Sequence, residues 1–148
     1  TSSTNQGIRI WNAATGELQI NIKHSSDVNA IAFSPNGKTV AGGCLDFNSY
    51  IWDIGTGKLL HTLSGMSDFV MTICFSPDGK LLATAGMDHT CTFRTFDTQT
   101  GNPVQTIGSK GPDIECLRFS PDGKSLAVAY RTYGDALKTP TIRIFSPE

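Results

Sequence analysis

The histidines and cysteines of this 148-residue chain are the side chains best suited to bind a metal or to act as nucleophiles. His24, His61 and His89 lie far apart and form no His-x-x-x-His pair, the spacing that places two zinc ligands on one element. The cysteines also lack Cys-x-x-Cys spacing; they are Cys44, Cys74, Cys91 and Cys116. We therefore predict no metal and no cofactor. We interpret the cysteines as reduced, mostly buried thiols of an intracellular protein, cytoplasmic or nuclear, with a disulfide or zinc site as the alternative.

Aspartates recur at equivalent turns of the chain, at Asp46 and Asp88, with Asp135 as a third candidate. Paired carboxylates could perform acid–base catalysis. A residue that recurs at regular intervals serves each local turn, however, whereas a catalytic group needs a unique convergent pocket. The chain also lacks the Gly-x-Ser-x-Gly motif and any phosphate-binding loop. We predict that it is not an enzyme.

The charge pattern argues against two classes of partner. Charged residues make up 17% of the chain, the net charge is −1, and lysine and arginine occur singly without a basic run. Direct binding to nucleic acid or to a membrane surface needs concentrated positive charge, so neither is expected. No apolar stretch approaches the roughly 20 residues of a spanning helix, and the polar first residues do not resemble a signal peptide. Because the first residue is not Met, we expect a piece of a longer chain.

The elements that must position these residues repeat along the chain. The sequence Phe-Ser-Pro-Asx-Gly-Lys begins at Phe33, Phe75 and Phe119, which are 42 and 44 residues apart. A second marker, an apolar–polar alternation ending in an aromatic residue, falls out of phase with the first; its aromatic residues are Trp11, Trp52, Phe96 and Phe145. Each full period contains four runs rich in Val, Ile, Thr and aromatic residues, bounded by Pro, Asn, Asp and Gly. The pattern predicts an all-β repeat protein.

A period of about 40 to 45 residues with four strands resembles that of the WD-repeat β-propeller family. The resemblance rests on the three Phe-Ser-Pro-Asx-Gly-Lys turns, on Trp52-Asp53 and on Trp11-Asn12, and it covers Gly7 to Phe145. It implies blades of four antiparallel strands, lettered a to d from the ring axis outward. It predicts strands c and d of a first blade over residues 1–23, full blades over 24–63 and 64–107, and an incomplete blade over 108–148. These make thirteen strands, about three and a quarter blades of an incomplete ring.

The resemblance also implies a hydrogen-bonded structural tetrad inside each blade, which this sequence matches only in part. The matching residues are His24, Asp46 and Trp52 in the first full blade and Thr84 and Asp88 in the next. Gly42 stands where Ser or Thr is usual, Met66 replaces the histidine, and Phe96 replaces the tryptophan. We expect His24 to form a hydrogen bond with Asp46.

The usual contact surface of the family is the end of the blades that carries the loops from strand d to strand a and from strand b to strand c. The corresponding positions here are Asp27, Asn29, Leu45, Phe69, Met71, Met87, Asp113 and Glu115. Their apolar members could receive an anchor residue of a partner, and their acidic members favour a basic protein or peptide. The alternative is that Phe69 and Met71 pack between blades as core residues.

The resemblance therefore implies a non-catalytic scaffold or adaptor module that binds a protein or peptide on a propeller face. The alternative function is a small-molecule-binding or enzymatic propeller that uses the central channel. The predicted innermost segments 28–31, 70–73 and 114–117 carry one carboxylate, Glu115, which gives that alternative little support.

Two questions about the ring remain open at this level. Closed propellers have about 4 to 8 blades, so the predicted strands cannot close one. We expect chain segments outside this sequence to supply the rest, with another copy of the chain as the alternative. The long link over residues 130–140 either carries function or is a solvated excursion.

Overall fold

The computed structural model describes residues 2–3, 7–89, 91–108, 112–130 and 142–145. Within these ranges the chain forms β-strands and no helix, and hence none long and apolar enough to cross a membrane. The first sheet contains β1 (Ser2–Ser3), β2 (Gly7–Trp11) and β3 (Leu18–Ile22). The second contains β4 (Val28–Phe33), β5 (Thr39–Cys44), β6 (Ser49–Asp53) and β7 (Leu59–Leu63). The third contains β8 (Val70–Phe75), β9 (Leu81–Gly86), β10 (Phe93–Asp97) and β11 (Pro103–Ile107). The fourth contains β12 (Ile114–Phe119), β13 (Leu126–Tyr130) and β14 (Ile142–Phe145).

The four sheets are successive blades of an incomplete propeller. In each sheet the strands follow one another in chain order and pair antiparallel. The first strands of the last three sheets, β4, β8 and β12, pack against one another and are therefore the innermost strands. The second strands β5 and β9 contact the innermost strand of the following sheet. The predicted all-β propeller fold is confirmed.

The first sheet contains one strand more than the sequence predicted. Only strands c and d were expected within residues 1–23, but β1 pairs antiparallel with β2 through Ser2 with Ile8 and Ser3 with Gly7. β1 also packs against β4, as β5 packs against β8. It is therefore a short strand b. Two serines with no apolar alternation left no signal for it.

The Ser-Pro-Asx-Gly-Lys turns between strands a and b are closed by their own side chains. In the second sheet the Ser34 hydroxyl donates to Asn36 Oδ1 at 2.8 Å, and the Lys38 N–H donates to the same oxygen at 2.9 Å. Gly37 adopts φ 68°, which a Cβ would disfavour. The same contacts recur at Ser76 with Asp78 and at Ser120 with Asp122. These local bonds close each hairpin through its own residues.

The hydrophobic core lies between neighbouring sheets, so each complete blade is buried on both faces. The boundary of the second and third sheets is packed by residues from both, with Val70, Leu82 and Phe96 each no more than 1% exposed. The boundary of the third and fourth sheets is centred on Ile114 and Leu117, both fully buried. Because packing occupies the sheet faces, recognition is left to the loops at the ends of the blades and to the rim.

Candidate functional site

The loops at one end of the blades form a surface that we call the loop face. It comprises the d-to-a loops over residues 23–27, 64–69 and 112–113, the b-to-c loops over residues 45–48 and 87–92 apart from residue 90, and the first residues of the innermost strands, among them Glu115. Backbone hydrogen bonds join the two kinds of loop: the Leu45 N–H donates to the Asp27 carbonyl at 3.1 Å, and the Met87 N–H donates to the Phe69 carbonyl at 3.3 Å. The loop face is thus held in a defined geometry by main-chain contacts.

An exposed aromatic pair crosses the boundary between the second and third sheets on this face. The ring centroids of Phe47 and Phe69 lie 5.6 Å apart at an interplanar angle of 47°. Their exposed fractions are 43% and 40%. Phe69 is therefore not the buried plug that the sequence left open as an alternative. A large apolar pair at a loop tip is a feature of recognition surfaces.

Sequence reasoning missed Phe47, although a signal was present. Phe47 follows Asp46 in a short turn, and its backbone adopts φ 70°, a conformation that normally selects Gly, Asn or Asp. An aromatic residue at such a position adds strain rather than relieving it. A bulky side chain where the turn favours a small one could have identified Phe47 as a candidate.

A pocket opens beside the aromatic pair, at the boundary between the third and fourth sheets. Its lining residues are Met71, Met87, Asp113, Ile114 and Glu115, and its space, including the open mouth, is about 270 Å³. The pocket therefore brings together four of the predicted binding residues. Asn29 adjoins it, since its Nδ2 donates to Met71 Sδ at 3.1 Å across the innermost strands. Asp27 and Leu45 lie apart from the pocket, on the loops of the second sheet.

Asp113 corrects the prediction of an exposed acidic rim. The residue is only 2% exposed. Its Oδ1 accepts a hydrogen bond from the His89 N–H at 3.0 Å and lies 3.0 Å from His89 Nδ1. Its Oδ2 is buried without a hydrogen-bond partner. The side chain joins the b-to-c loop of the third sheet to the fourth sheet, whereas Glu115 is exposed and Asp27 is half-buried.

The tetrad residues of the second sheet lie together, but the expected bond between His24 and Asp46 is not formed. His24 Nε2 is 3.8 Å from Asp46 Oδ2, beyond hydrogen-bond distance, and has no partner. Tyr50 donates its hydroxyl to Asp46 Oδ2 at 2.8 Å instead, and the His24 ring packs against Tyr50 and Trp52. Burial and then the bond to Asp46 raise the pKa of Tyr50 to about 12.

Gly42 interrupts the tetrad for a steric reason. A Cβ at this position would lie 2.8 Å from Cζ3 of the Trp52 ring, so a serine or threonine does not fit. Trp52 itself is 2% exposed. The ring therefore fills the space that a side chain at position 42 would need.

The tetrad residues of the third sheet are also rewired. The Thr84 hydroxyl donates to Met66 Sδ at 3.8 Å, and the Ser67 hydroxyl donates to Asp88 Oδ2 at 3.1 Å. Phe96 is buried in the place of the tryptophan, at 1% exposed. Thr84 and Asp88 therefore contact different side chains rather than one shared histidine. The link between β9 and β10, residues 87–92, is longer than the link between β5 and β6, residues 45–48.

The described residues offer little reactive chemistry. No group of three or more His, Cys, Asp or Glu side chains among them could hold a metal ion. The cysteines are free thiols, and burial raises the pKa of Cys44 to about 12 and of Cys74 to about 11. Such thiols are protonated at neutral pH and are poor nucleophiles. Asp135 and the predicted functional link over residues 130–140 lie outside the described residues, except for Tyr130 at the end of β13.

Comparison with known proteins gives the same organisation. The family described as "WD domain, G-beta repeat" matches residues 16–53, 57–93 and 101–135. The first two matches begin before the outermost strand of one sheet and end in the third strand of the next. The chain is also similar to Autophagy-related protein 16 of Arabidopsis thaliana, at 36% identity over 92 residues, or 62% of the chain. This alignment spans only 18% of that relative. With the repeats matched over most of its length and folded as blades, the chain belongs to the WD-repeat family.

Proposed function

We propose that the chain is a non-catalytic interaction module that binds a basic segment of a partner protein on its loop face. WD-repeat proteins generally act as protein-interaction scaffolds. The observation that carries the proposal is the exposed pair of Phe47 and Phe69. These rings meet across two blades, so an anchor residue seated on them would contact both.

The energetic argument is that the pair leaves apolar surface for a partner to cover. Phe47 and Phe69 retain about two fifths of their surface in contact with water. Covering that area favours binding by on the order of 1 kcal/mol per ring. Aromatic residues at the centre of a patch commonly dominate binding energy. Leu45 and Met87 flank the rings on the same loops and extend the apolar area.

The charge of the loop face selects a basic partner. Its described carboxylates, besides the buried Asp113, are Asp27, Asp46, Asp68, Asp88 and Glu115, against Lys23 and Arg94, whose guanidinium lies beside Gly65. An acidic surface accelerates encounter with a basic segment and disfavours an acidic one. We therefore expect binding to weaken as salt concentration rises.

The exposed apolar face of β4 supports the proposal that further chain segments complete the ring. Phe75 of β8 packs, together with Ala30 and Ala32 of β4, against the core cluster between the second and third sheets. Phe33 occupies the equivalent position on β4 and is 53% exposed, and Ile31 beside it is 38% exposed. An innermost strand supplied to the first sheet would cover both. We favour another part of the same protein as its source, and a second copy of the chain as the alternative.

We propose an intracellular setting for the protein. Free, buried thiols support an intracellular location, where cysteines stay reduced. The similarity to an autophagy-related protein makes autophagy a process in which to search for the partner.

The proposal is tested by selecting peptides from a random library on the protein and measuring their affinity for variants. Phe47→Ser with Phe69→Ser should weaken the selected peptides by roughly tenfold or more, because both anchoring rings are lost. Leu60→Asp is the matched control, because Leu60 is 46% exposed but lies on the outer strand β7. Equal binding by the serine variant, with the fold intact by circular dichroism, would contradict the proposal.

A further inference from the structure

The pocket between the third and fourth sheets combines adaptable apolar walls with a buried carboxyl group. Met71, Met87 and Ile114 form apolar walls, and Asp113 and Glu115 bring two carboxylates to the same small space. Glu115 is exposed on the innermost strand β12, whereas Asp113 is 2% exposed. A pocket of this composition suits a side chain that is apolar along its length and cationic at its tip.

The Asp113 carboxyl group also indicates that the pocket suits a cationic ligand. Its Oδ1 accepts a hydrogen bond from the backbone N–H of His89 and lies 3.0 Å from His89 Nδ1. Its Oδ2 is buried and has no hydrogen-bond donor. A buried carboxylate oxygen without a donor is unfavourable, and a cation that brings N–H groups to it removes that cost. Because Asp113 lines the pocket, this atom favours a ligand that brings a charged donor.

The methionines provide the rest of the fit. Met side chains are unbranched and polarisable, so they adapt to an inserted chain of methylene groups. Lysine and arginine carry three or four such methylenes before the charged group and commonly bury that stem while the head finds a polar partner. The bond from Asn29 to Met71 Sδ connects this wall to the adjoining blade.

We propose that this pocket binds the side chain of a lysine or arginine from the partner segment. The stem lies between Met71 and Met87, and the cationic head reaches Asp113 with Glu115 beside it. The inference rests on the proposed loop-face function, and it adds which residue type the partner must carry next to its apolar anchor. Since Met87 is hydrogen-bonded to Phe69 through the backbone, the anchor site and the basic site adjoin.

The test uses methyl NMR of the protein labelled with ¹³C at the methionine methyl groups. This chain has three methionines: Met71 and Met87 line the pocket, and Met66 is an internal control because it is only 8% exposed in the core. The probes are Nα-acetyl-lysine methylamide, Nα-acetyl-arginine methylamide and the neutral Nα-acetyl-norleucine methylamide. We expect saturable shifts at Met71 and Met87 with the lysine or the arginine probe, and roughly tenfold weaker binding of norleucine, for the loss of one charge-assisted hydrogen bond.

Two variants keep the result interpretable. Asp113→Asn retains an oxygen that can accept from the His89 N–H but removes the charge, and should weaken the cationic probe roughly tenfold. Glu115→Gln changes an exposed residue and should weaken it less, which covers the case in which the Asp113 variant does not fold. No shift at Met71 and Met87, equal binding of norleucine, or unchanged affinity in both variants would overturn the proposal. None of the probes carries an apolar anchor, so this result is independent of the test with Phe47 and Phe69.

Discussion

The two boundaries on the loop face are built from equivalent positions with different chemistry. Phe47 and His89 occupy the same place in their b-to-c loops, 42 residues apart, and both adopt a positive φ, 70° and 53°. Phe69 and Asp113 occupy the same place in their d-to-a loops, 44 residues apart. The first pair is an exposed aromatic contact, and the second pairs a buried carboxylate with a histidine. One backbone arrangement thus provides an anchor at one boundary and a structural link at the next.

The comparison teaches that a repeated position does not have a repeated role. At the boundary of the second and third sheets, neither ring satisfies a polar group, and the surface is left to a partner. At the boundary of the third and fourth sheets, the Asp113 carboxylate satisfies a backbone N–H of the adjoining loop and leaves one oxygen unused. The side chains at the loop tips, rather than the strands, decide whether a boundary is left exposed for a partner or is held together by a hydrogen bond between blades.

The largest expected effect tests whether the hydrophobic cores at the two boundaries contribute equally to stability. Leu82→Ala and Leu117→Ala each remove a fully buried side chain, one from each core cluster. Each should lower the free energy of unfolding by about 2 to 5 kcal/mol, measured by urea denaturation. A loss below about 1 kcal/mol for either variant would show that the cores differ as well as the loop tips.

The second prediction distinguishes a residue that stabilises the fold, Asp113, from a residue that binds the partner, Phe69. Asp113→Ala should cost about 2 kcal/mol of stability, because the His89 N–H loses a charge-assisted bond. Phe69→Ala should cost less than about 1 kcal/mol, since the ring is exposed, but should weaken peptide binding more. Urea denaturation and peptide titration of both variants check this reversal of order. The same order in both measurements would contradict it.

The third prediction exchanges the chemistry of one boundary for that of the other. Phe69→Asp alone should destabilise the protein, and adding Phe47→His should restore about 1 kcal/mol, because the new pair can form the contact seen between His89 and Asp113. A double-mutant cycle in thermal unfolding measures this coupling. Purely additive changes would mean that the two positions are not interchangeable between blades.

The smallest effect concerns the opposite end of the blades, where the turns are nearly identical. The Ser76 hydroxyl and then the Lys80 N–H lower the pKa of Asp78 from its ordinary value of 3.8, and Ser120 does the same for Asp122. A lowered folded-state pKa stabilises the fold above about pH 4, and this contribution is lost as pH falls through the folded-state value. Asp78→Asn with Asp122→Asn should therefore lower stability slightly at pH 7, change it little near pH 2, and so make stability fall less on acidification. Unfolding measured from pH 7 to pH 2 tests the sign.

Much of the fold was predictable because local chemistry determines it. The turns at Ser34, Ser76 and Ser120 close through their own side chains, so their sequence is sufficient to place the hairpins. The alternation before Trp52 and Phe96 marks strands that are buried on both faces. The two-residue strand β1 escaped prediction because its existence depends on pairing with β2 rather than on its own residues.

The site was less predictable, because it depends on contacts between blades. The sequence placed Asp113 on the loop face but gave no sign that His89, 24 residues earlier, would bury it. Likewise, Tyr50 takes the Asp46 oxygen expected to face His24, a competition that spacing alone does not reveal. Met71, Met87 and Glu115 lie at one pocket because their positions relative to the turns are repeated, and their role in binding stays a prediction.

The contacts between successive Ser-Pro-Asx-Gly turns affect which mutations the chain can tolerate. A Cβ at Gly79 would lie 3.5 Å from Pro35 Cδ, and one at Gly123 would lie 3.5 Å from Pro77 Cδ, so each turn rests on its predecessor. The spacing of the blades is therefore maintained from the end opposite the loop face. Mutations that alter ligand preference can accumulate at Phe47, Phe69 or Met87 without disturbing this register, which makes a propeller of this design readily adapted to new partners.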